Sequence, residues 1–360
     1  MRIFPARTGR SQGNLNELTQ HGGMTTTDLA TGSHNANDDA LRGVLWAPVL
    51  LFLAGCFAAF HWSGFRHVDV NWAGYGGMAA ILLSAYLVTK GLRIRFVQLF
   101  INCWSQNLVV AIAATMLTYA AATVGRPLMD DQLLRADQLI GYDWRAYAGF
   151  FAGSGTMVRI VSEFYNSIFY LPNVVILALA IKKDVKTLEK FILAAIISLL
   201  LTIGIFALVP ATTAWTHLHL SDTEISSFRN LPLSSDGWID ELIRIREGSL
   251  RSLRNFQGKG LIAFPSFHCA AALILIWASW NILWLRIPMT LVNLGMILAT
   301  PIVGGHYVTD LIGGLVITIV SVILAGWLHT WMLRHVAVVR RGAWAMIPAV
   351  QRAEPRAEVR

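Results

Sequence analysis

The sequence predicts an all-α, polytopic membrane bundle of about eight transmembrane helices (six to eight), with both termini cytoplasmic. Three observations carry this reading. Charged residues make up 14% of the 360-residue chain, against about 25% in an ordinary soluble protein. The apolar set AVILMFWYC reaches 55%, in unbroken blocks near the ~20 residues that cross a bilayer's hydrocarbon core. Lys and Arg also alternate between successive connections as the positive-inside rule requires. This composition excludes a secreted disulfide scaffold and a simple nucleic-acid binder. The net charge of +8 belongs to cytoplasmic loops rather than to a polyanionic partner.

Residues 1–40 are rich in Ser, Thr, Gly, Asn and Asp and hold no apolar run. They read as a disordered cytoplasmic tail, not a signal peptide, with Met1 or Met24 as the native start. Apolar segments follow near 44–60, 74–89, 107–124, 164–181, 191–209, 266–284, 288–303 and 309–332. With the N-terminus inside, Lys90, Arg93 and Arg95 fall in the cytoplasm. So do the lysines at 182, 183, 186 and 190, Arg286 and the Arg-rich C-terminus. Cys56, Cys103 and Cys269 form no close pair, so they read as small thiols in apolar surroundings.

Two connections are long, and both fall on the non-cytoplasmic side. Residues 125–157 contain RPLMDDQLLRADQLIGYDW, a short amphipathic stretch carrying Leu128, Leu133, Leu134 and Leu139, expected in the membrane interface. Residues 210–262 form the longest loop, and loops of that length are often functional.

Two histidines stand out from the ten in the chain. His268 lies in FPSFH, where Pro265 suits a helix start. Ser266 and the local amides there would face an anion, because free N–H groups and the helix dipole favour negative charge. His306 lies in GGHYVTD, after a glycine pair that ends the seventh segment. Asp310 is four residues on, hence on the same helical face. A carboxylate beside an imidazole fixes its tautomer and supports its positive charge, which suits a nucleophilic histidine. The alternative is a pair of interfacial histidines making structural hydrogen bonds. His329 and His335 read as residues near a cytoplasmic helix end, where a cation complements the dipole.

FPSFH followed by GGHYVTD resembles the type 2 phosphatidic acid phosphatase and haloperoxidase superfamily, over roughly residues 105–330. Its inositol phosphorylceramide synthase-like branch is the most similar, and IREGSLRSL and RPLMDDQLLRADQLIGYDW also look like that branch. The resemblance implies that His306 attacks phosphorus, Asp310 orients it, and His268 protonates the leaving alkoxide and then deprotonates the acceptor. It implies a phosphohistidine intermediate, no metal and no other cofactor. The partners implied are a lipid phosphate substrate in the membrane and, for a transferase, a lipid or sugar hydroxyl acceptor. The domain division is then a tail (1–40), N-terminal membrane helices (41–104), a phosphatase or phosphotransferase membrane domain (105–335) and a basic C-terminal tail (336–360).

The chain departs from the superfamily pattern in places. Ala299 and Thr300 stand where its Ser-Arg pair would fall, Phe267 replaces the Gly of its PSGH motif, and Tyr119 stands where a Lys would precede Arg126 and Pro127. Developing phosphoryl charge still needs donors. The candidates are Arg246, Arg251, Arg254 and Lys259 in the outer loop, with Ser266; the loop cations read equally as a solvated face. The competing function is a transporter or lipid-binding membrane protein without catalysis, which Arg159, Glu163 and Asn166 in the fourth segment would permit.

Overall fold

The computed structural model describes residues 46–65, 67–68, 72–92, 94–233, 237–253 and 260–346. The expected N-terminal tail, Arg254 and Lys259 lie outside the described residues.

Each of the eight apolar segments falls on a helix. They are α1 (Trp46–Trp62), α2 (Trp72–Gly91), α3 (Arg95–Ala122), α6 (Gly155–Asn166) with α7 (Leu171–Lys182), α8 (Val185–Leu208), α12 (Phe267–Ser279), α13 (Leu283–Val303) and α14 (Val308–Met346). Among the described residues, four helices are long and apolar enough to cross a membrane: α3, α8, α13 and α14 through His335. A fifth span results if α6 and α7, which meet at 52° across a short 3-10 turn, count as one. Two further apolar helices, α1 and α12, fall short of that length. α12 has 13 residues, about 20 Å of rise against a hydrocarbon core of about 30 Å.

The two long connections fold into short helices. The first forms α4 (Asp130–Leu139) and α5 (Trp144–Ala152). The second forms α9 (Ala214–His217), α10 (Asp222–Ser227) and α11 (Trp238–Arg246). Local sequence sets their starts. Asp143, Ser154, Thr213 and Ser266 cap the helices that follow them, and Ser221 with Glu224 forms a capping box. Strand pairing among the described residues is confined to a two-residue parallel contact of His67–Val68 with Ser252–Leu253.

α8 is the hub. It packs against α14, α3, α12 and α7 and buries Leu188, Ile192, Ala194, Ile203 and Phe206. Outward positions stay apolar as well: Leu51, Leu291, Ile323 and Trp327 are exposed. Apolar side chains pointing away from the core fit a lipid surround. α12 and α14 approach closely because Gly313 and Gly314 carry no side chain. A Cβ on Gly314 would stand 2.6 Å from the Ser266 carbonyl oxygen. The three cysteines are free and buried, as small apolar-region thiols should be.

Candidate active site

The site is built at the turn between α13 and α14. Gly305 has φ +70°, a conformation glycine adopts freely, and a Cβ there would lie 2.6 Å from both Thr213 Cβ and the Trp215 ring. The chain therefore presses this turn against the start of α9, where the Ala214 amide donates to the Gly305 carbonyl at 2.7 Å. His306 follows at once and is buried.

Its Nδ1 lies 2.9 Å from Asp310 Oδ2, and the same oxygen accepts the Tyr307 amide at 3.0 Å. Asp310 is fully buried. With the carboxylate accepting at Nδ1, that nitrogen carries the proton and Nε2 keeps its lone pair. The spacing read from sequence thus becomes a real hydrogen bond.

His268 sits in the first turn of α12, behind the Ser266 cap. The Ser266 amide donates to the Asp310 carbonyl at 3.1 Å, which ties the two helix starts together. His268 lies within electrostatic range of His306. Its Nε2 is buried without a hydrogen-bond partner among the described residues. The Ser266 hydroxyl is buried and accepts from the Cys269 amide at 3.4 Å.

The cationic candidates stand further out. Arg246, at the end of α11, donates to the Arg126 carbonyl and is electrostatically coupled to Asp130. Arg251 donates to the carbonyls of Ile245 (2.6 Å) and Leu250 (3.0 Å) and lies over the Phe65 ring. Arg159, Glu163 and Asn166 are exposed.

Sequence reasoning missed the buried acids that hold this turn. On α4 the buried residues are Asp130, Leu133 and Asp137, while Leu139 is 88% exposed. The face expected to be apolar therefore carries two carboxyl groups inward. Asp130 accepts from the Thr212 amide (3.0 Å), the Thr212 hydroxyl (2.9 Å) and the Tyr307 hydroxyl (3.1 Å). Asp137 accepts from the Val308 amide (2.9 Å), the Thr309 amide (2.8 Å) and the Thr309 hydroxyl (2.6 Å). It thus caps α14 from another helix, where an acid suits the dipole. The signal was present: the two acids are seven residues apart, two helical turns. On the other side, Trp144 and Tyr147 of α5 donate to the Pro301 (2.9 Å) and Leu298 (2.7 Å) carbonyls near the end of α13. The helix end leaves the Pro301 carbonyl without an intrahelical partner.

His268, His306, Asp310 and Asp137 lie inside one matched region. The chain matches the PAP2 superfamily over residues 131–324, more than half its length. The chain belongs to the PAP2 superfamily. Membership brings phosphatase or phosphotransferase activity, lipid phosphate substrates and membrane association as the functional class. No curated protein and no solved structure matches the chain significantly. The PAP2 region contains α4 except its first residue, Asp130, together with both histidines and Asp310. Among the described residues, no group of three or more His, Cys, Asp or Glu comes together as a metal would need.

Proposed function

We propose that this PAP2 superfamily protein is an integral-membrane lipid phosphatase or phospholipid headgroup phosphotransferase that works through a phosphohistidine at the non-cytoplasmic face. The observation that carries the reading is the buried 2.9 Å bond from His306 Nδ1 to Asp310 Oδ2, with His268 held at the neighbouring helix start. It leaves Nε2 as the nitrogen free to attack.

In the first step the Nε2–P bond forms and the bond from phosphorus to the leaving oxygen breaks. His268 gives its proton to that alkoxide. In the second step water, or a lipid or sugar hydroxyl, attacks phosphorus, gives its proton to His268 and releases Nε2. Asp310 supports the positive charge that the ring carries while phosphorylated. Splitting the displacement keeps His268 in one place as acid and then base. Ser266 and its neighbouring amides, with Arg246, Arg251 and Lys259 from the outer loop, are the proposed phosphate-binding groups. The branch pattern favours transfer over hydrolysis, in the manner of inositol phosphorylceramide synthase-like proteins. The charge bias of the connections supports eight spans with both termini cytoplasmic in the cell membrane, which puts the site outside.

The test uses purified protein in detergent with His306→Ala as control. Phosphatidic acid and phosphatidylinositol are offered with and without ceramide or diacylglycerol, and free phosphate and new lipids are followed by mass. Free phosphate that depends on His306 identifies a phosphatase. A new phosphodiester lipid that needs the acceptor identifies a transferase. Undiminished turnover in His306→Ala overturns the proposal.

A further inference from the structure

Tyr165 lies near the end of α6, just before the bend into α7. Its ring stacks on the His268 imidazole, with centroids 3.9 Å apart and planes 16° from parallel. Its hydroxyl reaches the other histidine. The point where a Cβ on Gly304 would stand is 2.6 Å from His306 Cδ2 and 2.8 Å from the Tyr165 hydroxyl oxygen. Cδ2 is bonded to Nε2, the nitrogen that Asp310 does not hold. The Tyr165 hydroxyl therefore faces the free edge of His306 across the space that Gly304 leaves open. That hydroxyl makes no hydrogen bond among the described residues.

Tyr165 is held firmly where it stands. The preceding Phe164 fills the notch at Gly295 of α13, where a Cβ would meet its ring at 2.8 Å. Asn230 Nδ2 donates to the Ala152 carbonyl at 2.7 Å, bracing the turn into α6. The neighbouring position 300 offers the site no donor, since the Thr300 hydroxyl is spent on the Met296 carbonyl at 2.8 Å. A phosphoryl group approaching Nε2 builds charge on its non-bridging oxygens and needs a donor fixed in place beforehand.

We propose that Tyr165 is a catalytic residue of this site. Its hydroxyl donates a hydrogen bond to a non-bridging phosphoryl oxygen as the Nε2–P bond forms, and its ring positions His268 for proton transfer. Tyr165 keeps its own proton throughout; the proton that reaches the leaving alkoxide comes from His268. The proposal rests on the phosphohistidine reading above.

Two substitutions separate the two roles. Tyr165→Phe keeps the stack and removes the donor. Tyr165→Leu removes both. Full-length protein in detergent is given phosphatidic acid labelled in its phosphate, and labelled protein and product are measured by rapid quench across pH. Tyr165→Phe is expected to slow formation of labelled protein by about 10²-fold, the typical loss of one fixed donor. Its thermal midpoint and pH profile should stay unchanged. Tyr165→Leu should lose more, and should displace the limb of the pH profile that reports His268. Wild-type rates in Tyr165→Phe overturn the donor role. A Tyr165→Leu variant with the pH profile of Tyr165→Phe overturns the positioning role. Undiminished turnover in His306→Ala overturns the phosphohistidine reading, and the Tyr165 proposal falls with it. Loss in His306→Ala beside normal Tyr165 variants sinks only the latter.

Discussion

Replacing Asp310 by Asn should slow turnover only about 5- to 30-fold, far less than removing the side chain. The reason lies in how its two oxygens are used. Oδ2 accepts from both His306 Nδ1 and the Tyr307 amide. Oδ1 is buried and without a partner among the described residues. An Asn amide can place its carbonyl oxygen where Oδ2 stands and its NH2 where Oδ1 stands. Both hydrogen bonds then survive, and so does the tautomer that leaves Nε2 free. What disappears is the charge. A hydrogen bond to a charged group is worth about 1.5–3 kcal/mol, against about 0.5–1.5 for a neutral one. The difference, about 1–2 kcal/mol, corresponds to the 5- to 30-fold loss. Asp310→Ala drops both bonds, frees the ring and should cost about 10³-fold or more, as loss of an orienting acid does elsewhere. The assay is turnover of short-chain phosphatidic acid in mixed micelles, with thermal unfolding of each variant as the check on folding. A folded Asp310→Asn protein as inactive as His306→Ala would refute the argument, because the remaining charge term is too small for such a loss.

Three other outcomes follow from the same structure. Asp137→Ala leaves two backbone amides and a hydroxyl at the start of α14 without their acceptor. At about 1–3 kcal/mol for a buried group left unpaired, it should lower the thermal midpoint clearly, and an unchanged midpoint would count against the cap. Glu189 and His329 form a buried 2.7 Å pair between α8 and α14. Either single substitution to Leu should destabilise by about 3–5 kcal/mol, and the double substitution should recover much of it; chemical denaturation in detergent decides. Glu224 is half-buried, and the Ser221 amide, then Arg145, hold its carboxyl down at about 2. A lowered folded value gives stability that is present above the unfolded value of 4.5 and lost as pH falls from there towards about 2. Hydrogen exchange around residues 221–228 should stay level from pH 8 to 5 and quicken only below, once corrected for intrinsic rates; quickening near neutrality would refute the assignment.

The parts that could be read from sequence are those whose signal is local. Apolar runs mark helices whatever their partners, so each run falls on one. The four-residue step from His306 to Asp310 is helix geometry, and the structure closes it into a bond. Long-range placement was not legible. Tyr165 and His268 are 103 residues apart, and nothing in EFYN announces a stack that depends on how α6 passes α12. His329 read as a dipole partner at a helix end, whereas a glutamate 140 positions away accepts it. The α4 acids were legible in part. Their spacing shows one face, but leucines on a stretch among charges suggest a buried apolar side. Only the donors offered by Thr212, Tyr307, Val308 and Thr309 make burial of the carboxyl groups affordable.

Those donors explain why the loops outside the spans are long. Bundle helices alone fix where α13 ends and α14 begins, but not the direction of a ring on the turn between them. Direction needs contacts from several sides. α4 grips Tyr307, Val308 and Thr309 through Asp130 and Asp137. α5 holds the end of α13 through Trp144 and Tyr147. The start of α9 closes on Gly305, and Ser266 bonds the start of α12 to Asp310. The turn bearing His306 is thus fixed by four separate segments, three of them from the connections between spans. A reactive ring held this way pays its ordering entropy during folding rather than at each turnover. The same clamp places the start of α12, which is set by Gly313 and Gly314 and by the bond to Asp310.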